Sequence, residues 1–271
     1  MSYQCPLCQH ELRFANNQYR CENNHQFDNA KEGYVNLMPA HHKRSKNPGD
    51  NKEMMQARRA FLEAGHYQPM QQQVANYCQH YLTEENTQLL DIGCGEGYYT
   101  SEIQNKLSNV NATIYGLDIA KIAVKYAAKR YPNCQFTVAS SHRLPFSDKS
   151  LHGVVRIYAP CKGEELHRTI KEGGYLFTVT PASHHLYEFR QAVYDDIRLH
   201  NETPENIEGF VVVEEKKLTY DMTLTGEEAL HLLDMTPFAW KLDNEYKAKL
   251  KAKDTFSCKA DFMIRVYQKT H

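Results

Sequence analysis

The chain has 271 residues, 32 Lys and Arg against 33 Asp and Glu, and a formal net charge of −1. Apolar residues make up 41% and charged residues 24%, which excludes a disordered chain, and no apolar run reaches the roughly 18 residues needed to span a membrane. The charge is uneven: residues 1–60 carry +3, residues 61–240 carry −8 and residues 241–271 carry +4, so near-neutrality does not exclude a polyanionic partner.

The first residues, MSYQCPLCQH, lack the charged-then-apolar layout of an export signal. A cytoplasmic, reducing setting is therefore expected, with the eight cysteines serving metal or packing rather than disulfides. Three of them fall in a metal pattern: Cys5-x2-Cys8, then Cys21-x3-His25. A two-residue gap lets two thiolates of one turn face one ion, and a hairpin turning at Asn16-Asn17 would bring the second pair beside the first. Three thiolates and an imidazole close a tetrahedral shell, so the expected ion is structural Zn2+. His10 is a rival fourth ligand, placed on the hairpin strand. The hairpin also carries Arg13, Phe14, Tyr19 and Arg20, a basic and aromatic face suited to nucleic acid or, alternatively, to local packing.

Residues 36–50, NLMPAHHKRSKNPGD, are read as a linker with a basic face that includes Lys43, Arg44 and Lys46. Asp50 with Glu53 has the form of a capping box, and a helix is expected through Met54 to Leu62, ending at Gly65. Arg58 and Arg59 are placed on its exposed side. A second helix is expected from Met70 to Leu82.

Leu89-Leu90-Asp91-Ile92 has the pattern of a buried strand, Gly93-Cys94-Gly95-Glu96-Gly97 of a tight turn, and Tyr98 begins a helix. Strand, glycine turn and helix form the nucleotide end of a doubly wound sheet. The spacing G-x-G-x-G differs from the dinucleotide form G-x-G-x-x-G. It resembles the first motif of class I S-adenosylmethionine-dependent methyltransferases. Asp91 would serve the cationic end of that cofactor, directly or through water. The next strand, 112–118, ends in Asp118, which is placed to accept the ribose hydroxyls. Helix 121–131 and strand 135–139 follow, and the loop Ser140-Ser141-His142 would lie near the adenine.

Strand four, within 151–161, delivers Arg156-Ile157-Tyr158-Ala159-Pro160-Cys161 to the methyl acceptor. Tyr158 either stacks on a base or packs within the strand. Pro160-Cys161 raises cytosine-C5 chemistry, in which Cys161 adds to the ring as a nucleophile and Lys162 lowers its pKa. A turn at Gly173-Gly174, a strand at 175–180, a helix start at 181–186, a strand at 210–215, a helix from Gly226 and a last strand at 262–268 complete the expectation.

The strings CPLC with Cys21 and His25, AKEGYVNL, HKR…PGD, MMQARRAFLEAGHYQP, LDIGCGEGYYT, SSHRLPFSD, RIYAPC and MTPFAW together resemble the RlmA-type large-subunit (23S) ribosomal RNA guanine-N1 methyltransferases over the whole chain. The resemblance implies an α/β class I methyltransferase fold, a Rossmann-like doubly wound sheet, with a small N-terminal zinc-ribbon-like domain. Domain bounds are expected at 1–36 for zinc, 37–66 for the basic linker and helix, and 67–271 for the methyltransferase. It also implies methyl transfer from S-adenosylmethionine to N1 of a guanine in a ribosomal RNA hairpin loop, by a homodimer with no membrane attachment. Expected cofactor residues are Tyr67, Asp91, Gly93, Gly95, Gly97, Tyr98, Tyr99, Thr100, Asp118, His184 and His185. Tyr158, His142 and His185 are the candidates for catalysis. Arg13, Arg20, Lys43, Arg44, Lys46, Arg58 and Arg59 are those for RNA. The competing readings are the Cys161-dependent cytosine methyltransferase, a non-catalytic zinc-containing RNA-binding or ribosome-assembly protein, and a small-molecule methyltransferase.

Overall fold

The structure is a computed structural model and describes residues 3–39 and 52–270. At the front, β1 (Arg13–Ala15), β2 (Gln18–Arg20) and β3 (Gln26–Asp28) form a small antiparallel sheet in that order. The hairpin turns where expected. Asn16 and Asn17 take φ of +51° and +59°, the left-handed pair that a two-residue turn requires and asparagine tolerates. Phe14 and Tyr19 face each other across it with ring centroids 4.8 Å apart.

The chain then leaves this sheet. β4 (Tyr34–Asn36) runs parallel to β7 (Gln135–Val138) and becomes the edge of the main sheet. That sheet has eight strands in the order β10-β11-β9-β8-β5-β6-β7-β4. Its other members are β5 (Gln88–Ile92), β6 (Thr113–Asp118), β8 (Leu151–Ile157), β9 (Ile170–Pro181), β10 (Phe210–Leu224) and β11 (Phe256–Lys269). β4 to β9 run parallel where they pair; β11 is antiparallel to β9 and to β10. The order reverses beside β5, so the loops after β5 and β8 open a crevice at the C-terminal ends of the parallel strands, where a doubly wound sheet binds ligands.

Helices cover both faces: α1 (Lys52–Glu63), α2 (Gln68–Tyr81), α3 (Tyr98–Lys106), α4 (Lys121–Arg130), α5 (Gly163–Thr169), α6 (Tyr187–Val193), α7 (Gly226–Asp234) and α8 (Asn244–Lys251). One face buries Met70, Val74, Ile103, Val124, Phe136, Phe177 and Phe262 in a single core. The other buries Leu90, Leu117, Phe146, Leu166 and Leu176 together with Tyr3, Leu12 and Val35 from the front of the chain. The front module thus docks on the sheet: the Tyr3 ring meets Tyr115 at 5.6 Å and Phe146 at 5.5 Å, and the Gln4 amide donates to the Pro145 carbonyl at 2.9 Å.

Several elements differ from expectation. Gly173 and Gly174 lie inside β9 rather than before it: pairing steps from Leu151↔Ile170 to Gly153↔Tyr175, so the extra residues bulge out of a continuous strand. β10 and β11 extend well past their expected bounds because they pair with each other over nearly their whole length. α7 begins with a full capping box, Thr225 with Glu228, and α8 was not expected. Asp50, the expected cap of α1, lies outside the described residues; α1 is nevertheless followed by Gly65 at φ +85°. The +4 of residues 241–271 is not a basic tail. Arg265 and Lys269 are buried within β11, where Arg265 pairs with Glu215 and Lys269 donates to the His167 and Ile170 carbonyls and pairs with Glu172.

Candidate active site and metal centre

Cys5, Cys8, Cys21 and His25 converge, with their ligand atoms all within 4.8 Å of one another. The Sγ atoms of Cys5 and Cys21 each lie 3.5 Å from His25 Nδ1, and Cys8 Sγ lies 3.6 Å from Cys21 Sγ. Zinc–sulfur bonds of about 2.3 Å and a zinc–nitrogen bond of about 2.0 Å in a tetrahedron demand edges of roughly 3.5–3.8 Å. The donor set fits Zn2+ in chemistry and in size. His10 is turned outward, its Nδ1 3.0 Å from the Asn23 amide and its Nε2 3.2 Å from Glu22, so it is not the fourth ligand.

The glycine turn follows β5. Gly93 has φ +73°, and a Cβ there would sit 2.7 Å from that of Ala159, so the loops after β5 and β8 touch through a missing side chain. At Gly95, φ +54°, nothing lies within 4 Å of where a Cβ would be, and the turn opens onto free space. Asp118 at the end of β6 accepts from the Gly95 amide at 3.0 Å and from the Ala120 amide at 2.8 Å, which ties the acid to the turn. Asp91 is 2% exposed and accepts from the Thr100 hydroxyl at 2.6 Å. Burial lifts its carboxyl to about 7, against the pull of Thr100, with Asp118 adding to the rise. Asp91 is thus a strut between β5 and α3.

Glu96, given no role from sequence, ties the turn to α1. It accepts from Arg59 Nε and Nη2, both at 2.6 Å, and its other oxygen is buried with no hydrogen-bond partner among the described residues. The Arg59 guanidinium also lies over the Tyr126 ring, 4.9 Å from its centroid. Arg59 was expected on an open helix face; it is half-buried and locks α1 to the turn instead. Arg58 is likewise half-buried rather than exposed.

A second cluster forms at the ends of β8 and β9. Tyr158 has φ +55°, a strained value for a residue with a side chain. The alternation of β8 would put it on the face of Arg156; the strained backbone turns it to the other face, against Phe262 and His185. His185 Nε2 lies 3.4 Å from the Tyr158 hydroxyl and 3.5 Å from the Tyr67 hydroxyl. Its Nδ1 accepts from the Asp261 amide at 3.2 Å. That bond sets the tautomer: a neutral ring accepting at Nδ1 carries its proton on Nε2. Burial, followed by the charges of His200 and Arg190, pushes its pKa down to about 3, with Asp261 opposing. His185 is therefore a donor to the tyrosines and not a base. Asp261, also missed from sequence, is 1% exposed and accepts from the His184 amide at 2.9 Å and the Thr219 hydroxyl at 2.6 Å, holding the turn in place. Its signal, one acid in a long apolar strand, was visible in ADFMIRV but had no partner in sequence. The rings of His184 and His142 are exposed. Tyr98 gives its carbonyl to Gln71 and packs edge-on against Tyr99 at 5.0 Å.

Cys161 donates to the Ser141 carbonyl at 3.1 Å and joins the loops after β7 and β8. Burial pushes its thiol up to about 12, against the opposing charge of Arg156 and a backbone hydrogen bond at Lys162, so it stays protonated. A nucleophilic thiolate is not what this position supports. Of the RNA candidates, Arg13 and Arg20 are exposed cross-strand partners on the hairpin, and Arg20 also bonds Asn24 at 2.6 Å. Lys43, Arg44 and Lys46 lie outside the described residues.

Two family models match the chain: "RlmA, N-terminal", a zinc ribbon, at residues 3–46, and "Methyltransferase domain" at residues 83–231. A Streptomyces fradiae protein named 23S rRNA (guanine(748)-N(1))-methyltransferase is 30% identical over 90% of this chain and 88% of its own length. The chain belongs to the RlmA-type family of 23S rRNA guanine-N1 methyltransferases. The Bacillus subtilis (strain 168) relative, a putative 23S rRNA (guanine-N(1)-)-methyltransferase, is 30% identical over 98% of this chain and 97% of its own. One from Micromonospora griseorubida with a similar name is 29% identical over 88% and 87%.

For an RlmA-type enzyme the cofactor is S-adenosylmethionine, and the turn fits it. The free space over Gly95 and the acid of Asp118 beside it offer room and ribose acceptors. No helix among the described residues is long and apolar enough to cross a membrane.

Proposed function

We propose that this protein transfers a methyl group from S-adenosylmethionine to N1 of a guanine in a hairpin loop of 23S ribosomal RNA, in the cytoplasm and as a homodimer. The observation that carries the reading is the presence, in one chain, of the four-ligand zinc cluster and the glycine turn, with 30% identity to a named relative across both. Arg13 and Arg20 of the hairpin and the basic linker would hold RNA phosphates, an affinity that falls with salt.

The target base would leave its stack and enter the crevice beside Tyr158, which is 47% exposed and can cover its face. S-adenosylmethionine supplies an electrophilic methyl. Guanine N1 carries a proton that must leave, and negative charge then spreads to O6. The chain's own contribution is a donor relay. The Asp261 amide fixes the His185 ring, His185 Nε2–H points at the tyrosine hydroxyls, and the Tyr158 O–H is left to donate outward to O6. His185 has no free lone pair for the N1 proton; exposed His142, exposed His184 and water are the acceptors this arrangement leaves. Tyr67 presents a second hydroxyl on the same imidazole, on the cofactor side. Orientation of the base against the methyl would account for much of the rate.

The protonated Cys161 counts against cytosine-C5 chemistry. Nucleoside analysis of unmodified 23S ribosomal RNA incubated with enzyme and labelled cofactor tests the proposal. 1-Methylguanosine is expected; 5-methylcytidine or no product would overturn it.

A further inference from the structure

A cavity of about 160 Å³ lies in the seam between the first zinc knuckle and the loop that follows β7. Its apolar floor is Pro6, Leu37, Met38 and Leu144, and its polar rim includes Gln4, Gln9 and Arg143. No residue of the glycine turn lines it, nor does Asp118; it shares with the expected adenine side only the start of the loop after β7, through Ala139 and Ser140. Both walls are rigid. Gln4 is hydrogen-bonded to Pro145, and Arg168 holds the loop through the Leu144 and Phe146 carbonyls at 2.9 and 2.7 Å while pairing with Glu165 and Asp148. Arg168 and Glu165, which also line the cavity, thereby neutralise each other. Arg143 adds a charge interaction with Glu165 from the rim, but it is exposed, and no hydrogen bond of its guanidinium is found among the described residues. The cleft therefore combines room for one planar group, an apolar floor, two amides and one exposed cation whose nearby carboxylate, Glu165, is already paired with Arg168. It also adjoins the acceptor side, since Ser141, two residues before Arg143, accepts from Cys161 at the end of the β8 loop.

We infer that this seam binds one unstacked nucleotide of the RNA substrate flanking the target guanine, its base against Pro6 and Met38, its phosphate on Arg143. The inference rests on the RNA methyltransferase reading above and adds to it a preformed contact made jointly by the zinc module and the methyltransferase body. Single-stranded RNA is the ligand the chemistry favours, because an unstacked base offers a planar apolar face and amide-matching edges beside a phosphate.

The test uses full-length, zinc-loaded protein and unmodified 23S ribosomal RNA transcribed in vitro, with binding measured across a range of salt. Arg143→Ala should weaken binding severalfold and reduce the slope of log affinity against log salt by about one, while zinc content and S-adenosylmethionine affinity stay unchanged. Arg143→Lys should keep most of the affinity and the slope. In wild-type protein, RNA carrying 4-thiouridine should photocrosslink to the peptides holding Pro6 or Met38. Unchanged slope in Arg143→Ala, or crosslinks that avoid both peptides, overturns the seam proposal even where 1-methylguanosine forms. Wild-type protein that binds no 23S ribosomal RNA overturns the function reading along with it.

Discussion

The Tyr158 hydroxyl stands 3.4 Å from Nε2 of His185 because the Tyr158 backbone takes φ +55° at the end of β8. A left-handed residue with a Cβ costs roughly 1–2 kcal/mol, and here it carries an aromatic ring across to the other face of the sheet. Such strain is retained where the surrounding structure over-determines it, and the crevice beside the glycine turn is such a place.

Removing the hydroxyl but keeping the ring separates the two roles of Tyr158. Tyr158→Phe should lower kcat while leaving RNA affinity near wild type. Tyr158→Ala should also weaken RNA binding, on the order of the 1–3 kcal/mol of one base stack. Single-turnover kinetics and RNA titration read the two effects apart. Equal kcat in wild type and Tyr158→Phe would remove the donor role.

Two buried groups make stability depend on pH with opposite sign. His185, pushed down to about 3 from its ordinary 6.5, resists protonation in the folded state, so its effect is a loss of stability as pH falls from 6.5. Asp91, raised from 3.8 to about 7, takes up a proton on folding, so its effect is a loss as pH rises from about 4 to 7. Each has a limiting slope of about 1.4 kcal/mol per pH unit, and between pH 4 and 6.5 they oppose each other. The two contributions therefore subtract in the wild-type urea midpoints over that window, while His200 and His152, also pushed down by burial, add to the loss toward acid in all three proteins. Asp91→Asn should fall toward acid, and His185→Asn should fall toward neutrality. Parallel curves for all three proteins would contradict this.

Arg59 holds Glu96 of the glycine turn, where the cofactor is proposed to bind. Arg59→Ala releases Glu96 and loosens α1 from the glycine turn. S-adenosylmethionine affinity measured by calorimetry should drop severalfold, with the salt slope of RNA binding unchanged. A reduced salt slope with normal cofactor affinity would return Arg59 to the phosphate contacts.

Zinc removal should act beyond the front module. Cys8→Ala opens the tetrahedral shell, and a module of this size depends on its metal, which supplies on the order of 10–16 kcal/mol in comparable units. Because β4 pairs with β7 and Tyr3 packs on Tyr115 and Phe146, hydrogen exchange should rise in β7 as well as in residues 3–39, while β5, β8 and β9 stay protected. One zinc per wild-type chain and none in the variant is the accompanying metal analysis. Unchanged exchange in β7 would show that the edge strand stands without the module.

What local pattern determines was readable in the chain itself. The C-x2-C and C-x3-H pairs, the asparagine pair of the hairpin and the glycine turn act over a few residues, so their spacing carries their geometry. So do the β5–α3 and β6–α4 units, whose apolar periods and terminal acids need no distant partner. The family strings extended that reading to the substrate. Chain position misled wherever a residue's partner is remote. Arg59 was placed on an open face because Glu96, 37 residues away, is invisible to helical periodicity. Arg265 and Lys269 counted as a basic end because linear charge does not register that β11 lies inside the sheet, where Glu215 and Glu172 neutralise them. His185 was a candidate base until a backbone amide 76 residues on fixed its tautomer. Desolvation and directional hydrogen bonds depend on which atoms are neighbours in space. The tertiary structure alone decided which histidine ring a backbone amide holds, which carboxyl is a strut and which arginine is tied to the glycine turn.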